Sequence, residues 1–312
     1  MSSAAPHKSI DPTLHRVVCP GAGKAGPSTH GMAYWSWGDP SNPRILMCVH
    51  GLSRQGRDFD TLAQALSGTY RVICPDVVGR GQSDWLADPA GYQVFTYVAD
   101  MVALMHQLRE DLKQDAPLDI DWVGTSMGGL IGLGFSTLPP TASGARLRRF
   151  VMNDVGPRLR LEALLRIGDY LGKPVSFASE QEAADYLWRI SAGFGPHTAE
   201  QWLTLSRPLL KRSEDGTCWV LHYDPEIAAP FRGMTAEAAA GGEAALWQVY
   251  DALTCQVLLL RGKQSDLLDA ETAKMMTERG PKARLVEFEG VGHAPTLIAD
   301  DQISAVRDFL LT

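Results

Sequence analysis

Ser126 sits in Gly124-Thr125-Ser126-Met127-Gly128-Gly129, behind an apolar run at 118–123 and ahead of a second at 130–138. That setting reads as a strand, a sharp turn and a helix, with the serine on the turn. Glycines on both sides let neighbouring backbone approach a strained turn where a Cβ would collide. The helix that begins after the serine aims its first N–H groups at charge developing on a substrate carbonyl. Gly-x-Ser-x-Gly alone also describes an ordinary turn with a serine N-cap, so its partners decide the reading.

A serine hydroxyl attacks an ester carbonyl only when a base takes its proton, and an acid must orient that base. His293, in Gly290-Val291-Gly292-His293-Ala294-Pro295, lies on a glycine-flanked loop after the last strand-like run, which suits a general base. Of the eight histidines only His50, in His50-Gly51-Leu52, has a comparable setting. Two acids follow strand-like runs upstream of His293. Asp266 closes Gly262-Lys263-Gln264-Ser265-Asp266, and Asp154 stands in Asn153-Asp154-Val155-Gly156-Pro157. Parallel strands direct their C-terminal ends into one crevice, so both acids face the base. Asp154 also reads as a structural acid bonding loop backbone.

The elements that must hold these groups alternate. Runs at 44–49, 70–74, 118–123, 150–152, 255–260 and 283–288 read as short buried strands. Between them, Val98, Met101, Val102, Met105 and Leu108 follow helical spacing, as do Ile303, Val306, Phe309 and Leu310 at the end. A further helix fits 58–66. Strand and helix in alternation imply a mostly parallel sheet covered on both faces. From about 156 to 248 the alternation stops. Three consecutive helical patterns, without a clear strand, suggest a cap lying over the sheet. The division expected is a loose tail at 1–12, a core of 13–156 and 249–312, and a helical cap at 157–248. Residues 20–27 read as a turn.

The chain has 312 residues, 45% hydrophobic and 21% charged, enough for a large core without a metal or disulfide staple. Its net charge of −7 and lack of a basic cluster argue against nucleic acid and anionic membranes as partners. Arg146, Arg148 and Arg149 form the densest basic run, read as a solvated helix or loop face. Five cysteines match no metal spacing, and Cys48, Cys74 and Cys255 fall in apolar runs, as buried free thiols would. No apolar stretch reaches membrane-spanning length, and the first residues lack a signal-peptide core, so a cytoplasmic location is expected. A homo-oligomer is compatible with these features.

Together His50-Gly51, the segment from Asp76 to Ser83, the Ser126 hexapeptide, Gly262 to Asp266 and Gly292-His293 resemble the α/β-hydrolase family, over nearly the whole chain. The resemblance implies an eight-stranded, mostly parallel sheet with helices on both faces, a helical cap insertion, and no metal or organic cofactor. It implies the chain order serine, acid, histidine, and by strand position it favours Asp266 over Asp154. It assigns the oxyanion hole to the backbone N–H groups of Leu52 and Met127. Aspartate-dependent dehalogenases and epoxide hydrolases of that superfamily are disfavoured by Ser126. The segments 245–251 and 262–268 look like bacterial carboxylesterases of enol-lactonase type. Among the cap aromatics and the loop histidine, Trp188, Tyr223, Trp247 and His50 are the candidates to line the pocket. The expected function is a serine-dependent carboxylic ester hydrolase acting on small to medium apolar esters through an acyl-enzyme. A lactonase or carbon–carbon hydrolase with the same triad is the alternative, and a non-enzymatic binding relative is a third reading.

Overall fold

The computed structural model describes residues 11–21, 29–232 and 236–312. The tail expected at 1–12 and the turn expected at 20–27 fall mostly outside the described residues. In chain order the main sheet is built from β1 (Thr13–Pro20), β2 (Thr29–Trp37), β3 (Ile45–Val49), β4 (Arg71–Pro75), β5 (Leu118–Thr125) and β6 (Ala145–Asn153). A smaller sheet is made of β7 (Ser176–Phe177), β8 (Leu210–Arg212) and β9 (Trp219–Leu221), before β10 (Gln256–Gly262) and β11 (Arg284–Phe288) complete the first. The eight strands lie in the order β1-β2-β4-β3-β5-β6-β10-β11. Only β2 runs against its neighbours, so the sheet is mostly parallel, as expected.

Side-chain alternation explains why the strands read as unbroken apolar runs. On β3, Ile45, Met47 and Val49 enter one core and Leu46 and Cys48 the other. β10 does the same with Val257 and Leu259 against Leu258 and Leu260. A strand buried on both faces has no polar side to show. Among the helices, α1 (Asp60–Leu66) lies on one face, and α2 (Val94–Asp111) and α3 (Met127–Ser136) on the other. The short α4 (Pro140–Ser143) leads into β6. Each fully buried leucine or phenylalanine contributes about 1.5–3 kcal/mol to this arrangement.

β1 and β2 have no counterpart among the strand-like runs. β1 is an edge strand with one face in water, Val18 being 71% exposed, and its polar residues hide the pattern. Arg146, Arg148 and Arg149 are not on a helix or loop but on β6. Arg148 there donates to the buried carboxylate of Asp121, Nη2 to Oδ2 at 2.9 Å. Cys48 and Cys74 are buried free thiols, whereas Cys255 is half-buried and precedes β10.

Between β6 and β10 lie α5 (Leu161–Tyr170), α6 (Glu180–Ile190), α7 (Ala199–Ser206) and α8 (Ala236–Asp251), with the small sheet among them. The insertion is therefore not purely helical. Its strands are two or three residues long, too short to leave a periodic trace. Ser179 and Thr198 cap α6 and α7, the latter in a reciprocal pair with Gln201. Phe177, Leu187, Trp202, Leu205 and Leu209 form a core belonging to this segment. α8 departs from it: it packs on α3, and Trp247 and Tyr250 enter the main core. A boundary at 248 thus falls inside a helix. α9 (Ala270–Glu278) and α10 (Asp300–Leu311) follow. No helix among the described residues is long and apolar enough to cross a membrane.

Candidate active site

Ser126 occupies the turn between β5 and α3 with φ of 51° and ψ of −116°, a left-handed conformation that ordinary side chains rarely adopt. Its neighbours make the turn feasible. A Cβ on Gly128 would run into the carbonyl of Val49, and one on Gly124 into the carbonyl of Gly128. The Ser126 N–H donates to the Asn153 carbonyl at 3.0 Å, and Trp122 Nε1 donates to Gly128 O at 3.1 Å. The serine hydroxyl is thereby pushed out at the C-terminal edge of the sheet.

His293 meets it there. Its Nε2 lies 3.0 Å from Ser126 Oγ and its Nδ1 lies 2.7 Å from Asp154 Oδ2. A carboxylate only accepts, so Nδ1 carries the proton and Nε2 is left to accept from the serine. Asp154 is fully buried directly after β6, with φ of 55°. The N–H of Gly262 donates to its Oδ1 at 2.9 Å and the Ser265 hydroxyl to its Oδ2 at 2.6 Å.

Asp266 is not the partner of His293. Its carboxylate is 48% exposed and accepts from Arg166 Nε at 2.8 Å and Nη2 at 2.7 Å. The physical reason lies one turn earlier in the same loop. Gly262 and Ser265 spend their donors on Asp154, and this fixes the loop so that the next residue faces outward.

Leu52 and Met127 both stand beside Ser126 on the wall of one cavity. A residue that sequence reasoning did not single out braces them. Arg80 is fully buried and donates from Nε to the Leu52 carbonyl at 2.8 Å, while its Nη2 lies 3.7 Å from Met127 Sδ. Its Nη1 donates to Val78 O at 2.7 Å and to Tyr97 Oη at 3.1 Å. In the sequence it stands between Gly79 and Gly81, inside the segment from Asp76 to Ser83 that carries part of the family resemblance.

Of the four candidate pocket residues, Tyr223 lines the cavity that holds Ser126 and His293. Burial pushes its phenol up to about 12, so it stays protonated. The other three do not line it. His50 is buried and bonded: the Val77 N–H donates to its Nε2 at 2.9 Å, and its Nδ1 reaches Gly51 O at 2.7 Å. Burial lowers its pKa to about 3, which keeps it neutral. Trp188 stacks edge-on against Trp202 and His197 inside the insertion. Trp247 packs edge-on against Tyr250 under the Arg279 guanidinium, far from the serine's walls.

Two cavities meet at Ser126. One, about 100 Å³, also contains His293 and carries Arg54, Asp58 and Arg166 on its wall. The other, about 200 Å³, contains among the described residues no ionisable group apart from Tyr92 and Tyr97; Met127, Leu130, Val155 and Phe231 line it.

Comparison with known proteins agrees with this fold. The model of the "Alpha/beta hydrolase family" matches residues 46–307. The chain is similar to a 3-hydroxybutyrate-oligomer hydrolase of Cupriavidus necator, at 52% identity over 96% of this chain and 98% of that one. Among solved structures, an alpha/beta hydrolase from Novosphingobium aromaticivorans superposes with a TM-score of 0.79 at 33% identity, covering 97% of this chain and 99% of that chain. A putative hydrolase from Rickettsia typhi gives a TM-score of 0.82 at 27% identity, covering 96% and 99%.

Proposed function

The chain belongs to the alpha/beta hydrolase family and is an ester-hydrolysing enzyme, and from that premise we propose a serine mechanism run by Ser126, His293 and Asp154. The observation that carries it is the unbroken relay from Ser126 Oγ through His293 to Asp154 Oδ2, at 3.0 and 2.7 Å. Ser126 attacks the carbonyl carbon as His293 Nε2 takes its proton, and the buried carboxylate of Asp154 stabilises the imidazolium. Backbone N–H groups of Leu52 and Met127 hold the tetrahedral oxyanion, with Arg80 fixing the Leu52 peptide from behind. The C–O bond breaks as His293 returns the proton to the alcohol. Water, deprotonated by the same histidine, then releases the acid from the acyl-enzyme.

We infer that the substrates are 3-hydroxybutyrate oligomers or esters of that size. The relative at 52% identity over almost the whole chain supports this substrate, and the cavities on both sides of Ser126 suit an oligomer held on both sides of the ester bond. Segments 161–231 supply much of the walls and act as a cap. The test is release of 3-hydroxybutyrate from its trimer by wild type and Ser126→Ala. The variant should lose about four to six decades of kcat. Equal rates would end the assignment of Ser126.

A further inference from the structure

The two cavities differ in charge, and the chemistry of the reaction says which half of the ester enters each. The leaving alcohol must lie against His293, because His293 protonates its oxygen. Only the cavity that includes His293 carries guanidinium groups, Arg54 and Arg166, with a single carboxylate, Asp58, on the same wall. The acyl half is left with the apolar cavity beyond Met127.

Arg54 is the group placed to read the alcohol half. It is buried, and its stem runs beside the nucleophile: Arg54 Cγ and Ser126 Cβ each lie 3.7 Å from the point a Cβ on Gly51 would occupy. Asp58 grips one edge of the guanidinium, accepting from Nε at 2.6 Å and Nη2 at 2.8 Å. The other edge is uncommitted, since Nη1 makes no hydrogen bond among the described residues. The Phe194 ring, 5.5 Å from the guanidinium carbon, helps confine it. A planar fork held by one carboxylate and open at its other edge is built to take a second carboxylate in two parallel bonds. Arg166, by contrast, is 45% exposed and engaged by Asp266.

We propose that the cavity on the His293 side is a carboxylate-binding subsite, in which Arg54 holds the acid group of the leaving alcohol while the acyl half occupies the apolar cavity. The inference rests on the ester-hydrolase reading above and deepens it. A 3-hydroxyacid leaving group carries its carboxylate two carbons from the ester oxygen, so its acid group enters the cavity that His293 and Arg54 share. The enzyme then removes units from the carboxylate end of an oligomer, and neutral esters are poorer substrates.

Butyrate release from 3-(butyryloxy)butyrate and from its primary amide, a neutral isostere, tests this directly. Wild type should show kcat/KM at least about tenfold higher for the acid, as a charge-assisted bidentate pair predicts. Arg54→Gln should bring the two within about twofold of each other, and Arg54→Lys should restore part of the difference. Because Arg54→Gln strands the Asp58 carboxylate, Arg54→Gln/Asp58→Asn is measured beside it and should give the same loss. A wild type that prefers the amide or treats both alike overturns the subsite, as does a preference surviving in the double variant. Hydrolysis of p-nitrophenyl butyrate separates the two failures: turnover of that ester without selectivity sinks the subsite alone, and absence of turnover sinks the ester-hydrolase reading.

Discussion

At Asp154 the chain leaves β6 with φ of 55°, and that turn aims the carboxylate under the His293 ring. Asp266 follows the neighbouring strand at a similar depth, yet its side chain points to Arg166 and water. The sequence placed both acids at strand ends, and the family resemblance favoured Asp266; that choice fails because it depends on side-chain direction set by Gly262 and Ser265 across the loop. Asp154→Asn should lower kcat by about 10⁴-fold, as loss of the acid misdirects the imidazole tautomer. Asp266→Asn removes an exposed ion pair and should change kcat less than about threefold. Steady-state kinetics of the two variants on one ester checks both, and the reverse ranking would restore Asp266. His50 behaves as a buried neutral imidazole. Its pKa falls from 6.5 to about 3 in the fold, so the unfolded chain binds more protons across that window. Stability from this group is therefore complete above about pH 6.5 and is lost as pH drops toward about 3. His50→Gln should flatten the acid side of a thermal-midpoint-versus-pH curve between those values. An unchanged slope would show that His50 does not titrate in this way.

The nucleophile turn and the strands around it were readable because each carries a local signature. Gly124 and Gly128 are required by carbonyls pressing on the turn, and β3, β4, β5 and β10 are buried on both faces over most of their length. The edge hairpin β1–β2 and the small sheet β7–β9–β8 left no such mark, one being half in water and the other too short. The insertion has a core of its own around Leu187, which is buried among Phe177, Trp202 and Leu205. Leu187→Ala should cost about 2–5 kcal/mol, felt first in that segment. Amide hydrogen exchange should then quicken in α6 and α7 while β3, β5 and β10 stay protected. Equal quickening in the main sheet would mean that insertion and sheet open as one unit.

Across the whole molecule, the order of the eight strands places β5 near the centre, with β6 beside it and β10 beyond β6. The serine, the acid and the loop that anchors the acid leave from those three strands in turn, and His293 arrives from the loop after β11. Composition and charge fitted an α/β chain with a large core but carried nothing about which half of a substrate meets which wall. That asymmetry appears only when Arg54 and Asp58, from the stretch after β3, and Arg166, from α5, are brought together on the His293 side. The pocket aromatics were misjudged for the same reason, since Trp188 and Trp247 serve packing inside the insertion and under α8. Covalent labelling with a fluorophosphonate probe, read by mass spectrometry of the digested protein, tests the central claim most directly. The account predicts one adduct, on Ser126, formed rapidly by wild type and lost in His293→Ala. Labelling of another residue, or an unlabelled Ser126 in active protein, would contradict it.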